Sequence, residues 1–246
     1  MASHNPVFNE KTFDRFSYLT GEAPKARMTM RGTLDRAAIL FAIAIVSAAA
    51  SWGVTSVVPG LAFPLALGGC LLAFVLGWTV SLKPNLAPAL SPVYAVFEGA
   101  FLGAFSQILE ARYPGIAGQA VLGTGVITGV MLLLYRSRVI RATPTFKKVV
   151  IGMTLAVAIM YGVALIMVIM GQRVPLINDA TPLGIGISLF LIGLAAFNLI
   201  LDFDLIETGE AQGMPKAMEW YAAFGLLVTV AWLYFEVLRL LRKLQR

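Results

Sequence analysis

Apolar residues run in seven blocks of about 20, near 37–58, 61–82, 89–109, 116–135, 149–170, 183–206 and 220–241, with short polar breaks between them. At 1.5 Å per residue, such a block crosses the roughly 30 Å hydrocarbon core of a bilayer as a helix. A helix is required there because no water is present to satisfy backbone N–H and C=O groups. The pattern predicts an all-α integral membrane protein, a seven-transmembrane-helix bundle. Residues 37–246 form one transmembrane bundle and 1–36 a polar N-terminal tail. The longest breaks are a basic loop around 136–148 and a polar turn around 207–219, which leave no room for a soluble domain. Gly123, Gly125 and Gly129 in the fourth block suit close helix packing in lipid, where small residues let backbones approach.

Composition agrees with this class. The chain is 59% hydrophobic and only 13% charged, against about 25% charged in soluble domains, and its mean hydropathy is +0.82. The single cysteine, Cys70, lies in an apolar block, so no disulfide framework is expected. The first 36 residues are polar and mixed in charge, unlike a cleaved signal sequence. Phe8, Phe13 and Phe16 in this tail are suited either to docking on the membrane surface or to a disordered segment.

Orientation follows from lysine and arginine, which concentrate on cytoplasmic flanks. Lys11, Arg15, Lys25, Arg27, Arg31 and Arg36 precede the first block, and Arg136, Arg138, Arg141, Lys147 and Lys148 follow the fourth. Both sets fall inside if the N-terminus is inside, leaving Arg112 and Arg173 outside. The C-terminal Arg239, Arg242, Lys243 and Arg246 conflict, because seven crossings place them outside. The net charge of +6 resides on these flanks, where it sets topology and meets anionic headgroups. Nucleic acid is not an expected partner.

The acids carry the candidate chemistry, because an ionisable group in hydrocarbon is costly and persists where it faces a pathway, a partner or a pocket. Glu98 lies about nine residues into a span of roughly 21, near the midplane. It reads either as a protonated acid bonded across a helix interface or as a proton- or cation-accepting group lining a cavity. Asp202 and Asp204 close the sixth span about 200° apart on a helix, so one faces inward and the other faces water or headgroups. An acidic, solvated helix end is the ordinary alternative for both. Glu236 stands three residues before Arg239, which suggests an exposed or interfacial ion pair. Glu219 and Trp220 open the last span, where acid favours the helix dipole and tryptophan favours the interface.

Motifs for soluble chemistry are lacking. The one histidine, His4, is in the tail, which excludes an intramembrane Ser-His-Asp arrangement or histidine metal site. No glycine-rich segment has the Lys and Ser/Thr of a phosphate cradle, and Asp202 with Asp204 cannot face each other from one helix as aspartyl hydrolysis requires. Enzyme is the weaker class, and no cofactor is expected.

At Phe203-Asp204-Leu-Ile-Glu207, an aromatic residue followed by Asp and a short polar stretch, the sequence resembles the sixth-helix motif of the Bax inhibitor family, the transmembrane Bax inhibitor motif proteins and their bacterial YccA-like relatives. Gly99-Ala-Phe-Leu-Gly103 resembles that family's third-helix glycine pattern, and Lys83 stands where a basic residue often follows the second helix. The resemblance runs from about residue 37. It implies a bundle with the last helix central and, as in bacterial members, a pH-sensitive calcium leak in which a sixth-helix aspartate shares a proton with a last-helix aspartate. Asp204 inherits the first role. Setting Leu233-Tyr234-Phe235-Glu236 on the family's Leu-Tyr-Leu-Asp offers Glu236 for the second. Equal depth in an antiparallel hairpin argues against it, because a turn near Gln212-Gly213 leaves the two acids roughly 24 Å apart in depth. Registering Val-Leu-Arg239 on the family's last-helix ending puts Thr229 at the acidic position instead.

The resulting expectation is a pH-sensitive cation channel, a calcium leak gated by protonation of intramembrane carboxylates. Asp204 works with Glu98, or with Thr229 as a hydrogen-bond partner; Asp202 and Glu236 are further proton-sensing or pore candidates, and Lys83 is the gating basic residue. Partners are then calcium ions, protons and the lipid bilayer. Calcium binding is expected to be weak, because tight sites use six to eight oxygens. The competing expectation is a non-conducting regulator that binds a membrane protease or other membrane proteins, gripped by its N-tail. The bacterial character of the resemblance points to a bacterial inner membrane.

Overall fold

In the computed structural model, which describes residues 27–171 and 180–245, the chain forms seven helices long and apolar enough to cross a membrane. They are α1 (Met30–Val57), α2 (Ala62–Leu82), α3 (Ala87–Glu110), α4 (Ile116–Arg136), α5 (Pro144–Ile169), α6 (Pro182–Ala211) and α7 (Met218–Leu244). The protein is an all-α, multi-pass membrane bundle. His4, the tail phenylalanines, Arg173 and Arg246 lie outside the described residues.

Helix ends are marked by capping chemistry. Thr29 caps α1 by accepting from the Gly32 N–H at 3.0 Å, Thr143 accepts from Phe146 N at 3.2 Å just before α5, and Thr181 accepts from Gly184 N at 3.1 Å before Pro182 opens α6. Such hydroxyls satisfy amides that have no partner in the first turn. These caps extend three elements beyond their apolar blocks. The α1 helix begins inside the segment read as tail, and α6 continues to Ala211, so Asp202, Asp204, Glu207 and Glu210 are all helical rather than a helix end and turn. At 30 residues, α6 is about 45 Å long, more than the roughly 30 Å of the hydrocarbon core.

The last helix is central, packing against α1, α3, α4 and α6; Ala223, Leu233 and Leu238 are wholly buried. The tightest apposition is between α1 and α3. A Cβ on Gly99 or Gly103 would lie within 2.9 or 2.8 Å of the Ala44 or Ala48 carbonyl carbon, and the Ser47 and Ser51 hydroxyls donate to the Val96 and Ala100 carbonyls at 2.6 and 2.8 Å. The glycines expected to pack in the fourth span behave differently: a Cβ on Gly123 would touch Val237 at 3.4 Å, whereas Gly125 and Gly129 face open space. Peripheral α5 packs on α6 through Val150 and Val157 against Leu191 and Leu194.

Candidate functional site

Asp202 and Asp204 diverge as their 200° separation requires. Asp202 faces α7, beside Thr229 and Tyr221, and its Oδ1 would lie 3.5 Å from a Cβ built on Gly225. Its Oδ2 is buried with no hydrogen-bond partner among the described residues. The Thr229 hydroxyl donates to the Gly225 carbonyl at 3.1 Å. Thr229 therefore stands opposite a sixth-helix carboxylate, but that carboxylate is Asp202, not Asp204.

Asp204 turns to α5 and forms an ion pair with Lys147, both side chains partly buried. Lys83, expected as the gating basic residue, caps α2 with its backbone, and its side chain is exposed. Tyr135 and Arg138 bond to Glu207 one turn further along. That hydrogen bond holds the Arg138 guanidinium above its ordinary pKa. Arg138 has φ 59°, the one positive value outside glycine among the described residues, which aims it back at α6. Tyr135, Arg138, Arg141, Ala142, Thr143 and Asp204 line a cleft of about 380 Å³ at this end of the bundle.

Glu98, near the middle of α3, lies beside Tyr94 and near Cys70 of α2; the Tyr94 ring meets Phe224 edge-on at 4.9 Å. Asp204 is occupied by Lys147, so the two acids expected to work together have separate surroundings in this packing.

Glu236 corrects the exposed-pair expectation. It is wholly buried, and its carboxylate accepts from Tyr161 Oη, from Trp232 Nε1 at 3.2 Å and from Arg239 Nη1 at 3.4 Å. Arg239 also donates to Tyr161 Oη at 2.8 Å. Lys243, one turn on, donates to the Gly184 carbonyl at 2.7 Å and Ser188 Oγ at 2.9 Å. Two of the C-terminal cations that conflicted with the orientation rule are thus turned into the bundle rather than displayed on a flank. The depth argument also holds: Asp204 and Glu236 meet α5 at Lys147 and Tyr161, 14 residues apart in one helix, or about 21 Å.

At the start of α7, Glu219 is buried. It accepts from Thr29 N and Oγ1, each at 3.2 Å, while Glu210 accepts from Met30 N at 3.0 Å. Two carboxylates thereby sit at the positive end of the α1 dipole, where negative charge is favoured. Met28 N donates to the Met214 carbonyl at 2.6 Å.

Sequence reasoning missed Tyr161 and Lys147 as partners, and also Thr154, whose Oγ1 accepts from Asn198 Nδ2. Their seven-residue spacing on α5 was a usable signal, since it puts polar groups on one face of an otherwise apolar helix. Among the described residues, no three acidic, histidine or cysteine side chains converge as a metal-holding group.

No curated protein and no solved structure matches the chain. The family model described as Bax inhibitor 1 like matches residues 5–246. With seven membrane-length helices, four of them packed on the last, and the match covering nearly its whole length, the chain belongs to the Bax inhibitor 1 like family.

Proposed function

We propose that this protein is a pH-sensitive cation leak, with calcium as the cation, in a bacterial inner membrane. The observation that carries the reading is the Asp204–Lys147 ion pair, which ties peripheral α5 to α6. The attraction exists only while Asp204 is ionised. As pH falls and the carboxyl gains a proton, Lys147 loses its partner and is free to reach the interface, and the helix it holds acquires a second packing. Tyr135, Arg138 and Arg141 from α4 and its loop face the same cleft, with Glu207 one turn on. Glu98, the buried Glu236 and Asp202, which lies beside Thr229, are the further proton-sensing candidates.

Calcium and proton flux of purified protein in proteoliposomes tests this. Asp204→Asn, which resembles the protonated acid, is expected to leak at high pH where the wild type is closed, and to lose most of its pH dependence. Unchanged pH dependence in both Asp204→Asn and Glu98→Gln would defeat the reading.

A second reading, a regulator gripped by a membrane protease, is favoured by one feature. The tail leaves the bundle at a segment bonded to the α6–α7 turn through Met28, Thr29 and Met30. Traction on the tail would therefore reach the ends of both helices. Purified protein that shows no flux alone but changes a protease's activity would decide for it.

A further inference from the structure

The inner face of α5 carries Lys147, Thr154 and Tyr161 at seven-residue intervals, a spacing that returns to nearly the same face every two turns. Each meets a different polar group of the α6–α7 pair. Lys147 pairs with Asp204, Thr154 Oγ1 accepts from Asn198 Nδ2 at 2.8 Å, and Tyr161 Oη joins Glu236 and Arg239. Val150 and Val157 fill the intervals against Leu191 and Leu194. On its other faces, α5 presents Val149, Ile151, Leu155, Ile159, Val163 and Ile166, all exposed as lipid-facing residues are.

This contact is built differently from the α1–α3 seam and from the apolar core around α7. The α1–α3 seam is a close approach of backbones at Gly99 and Gly103, and α7 is buried among large apolar side chains. Separating α1 from α3 would free only the Ser47 and Ser51 hydroxyls and the two carbonyls they bond, with no charged group among them. Along α5, every clasp that opens exposes groups water can satisfy, and water-mediated bonds are nearly as good as direct ones. The three clasps extend over about 21 Å of the roughly 30 Å core. Asp204, Asn198 and Glu236, the three groups that meet α5, together place carboxylate and amide oxygens along the α6–α7 side. Oxygen is the ligand that hard cations prefer.

We infer that the hydrated cation crosses along this seam, between α5 and the α6–α7 pair, and that α5 is the wall that moves. The inference rests on the leak reading above, and it goes further by assigning the route and the mobile element.

The test uses the full chain with Cys70→Ser, reconstituted in liposomes. Spin labels at Ile159→Cys on α5 and Val121→Cys on α4 report the position of α5, and Val46→Cys on α1 with Val121→Cys serves as reference. In Lys147→Met/Thr154→Val, the α5 distance is expected to shift or broaden by several ångströms while the reference pair stays put, with calcium flux at high pH rising about tenfold. Lys147→Arg keeps the charge pair and is expected to behave as wild type, which separates loss of the clasp from misfolding. A cationic thiol reagent on Val157→Cys should then cut flux about tenfold, whereas the same reagent on lipid-facing Leu155→Cys should leave it unchanged. A leaking protein with an unmoved α5, or one indifferent to modification at Val157→Cys, overturns the route and leaves the leak reading intact. Absence of flux from every form, wild type included, removes the leak reading and the route with it.

Discussion

Replacing Glu236 by leucine leaves Arg239 buried without its carboxylate, and the structure sets the size of the penalty. Glu236 is wholly buried and Arg239 is 8% exposed, so neither charge can turn to water without breaking the α7 packing. Removing one member of a buried pair costs about 3–5 kcal/mol, most of it the penalty on the charge left behind. Glu236→Leu is therefore expected to lose about 3 kcal/mol or more, roughly a hundredfold in the folding equilibrium. Glu236→Gln keeps an acceptor for Tyr161 and Trp232 and forfeits the charge-assisted bond to Arg239, a loss of about 1.5–3 kcal/mol. The double change Glu236→Leu/Arg239→Leu removes both charges, and replacing a buried ion pair by apolar residues is often neutral or stabilising. It should recover most of the loss, giving a coupling of at least about 2 kcal/mol. Reversible unfolding in mixed micelles, followed by circular dichroism because Trp232 touches the site, measures all four forms. Single losses below about 1 kcal/mol that simply add in the double variant would refute the account of Glu236 and Arg239 as a dry, mutually dependent pair.

Two further outcomes follow from close approaches elsewhere. Gly99→Ala and Gly103→Ala force α1 and α3 apart and are each expected to cost about 1–3 kcal/mol by overpacking; Gly125→Ala, which meets nothing within 4 Å, is expected to be neutral or to gain up to about 1 kcal/mol from helix propensity. The same unfolding titration distinguishes them. Glu219→Ala removes the acceptor for Thr29 N and Oγ1, so amide exchange over residues 28–33 should accelerate at least tenfold while the α1–α3 contact stays protected; unaltered exchange there would show that Glu219 does not hold the start of α1.

What the sequence determined by itself is the architecture, because hydrocarbon admits one solution for each apolar block: a helix long enough to cross. Seven blocks of about 20 residues became seven helices, displaced mainly where Thr29, Thr143 and a long polar-ended α6 carried helix past the apolar run. The opposite facing of Asp202 and Asp204, and the depth separating Asp204 from Glu236, followed from helix geometry alone and were equally legible. Which partner each acid meets was decided only by the tertiary structure. Periodicity shows which side of a helix a residue is on, but not which helix lies there. Lys147 is 57 residues from Asp204 and Tyr161 is 75 from Glu236, and in sequence both look like ordinary flank and span residues. Arg239 and Lys243 likewise count as topology charges until packing turns them inward. The chain thus encodes its crossings locally, through the transfer of each block into lipid, and its polar contacts globally, through the unique neighbours that α7 acquires at the centre of the bundle.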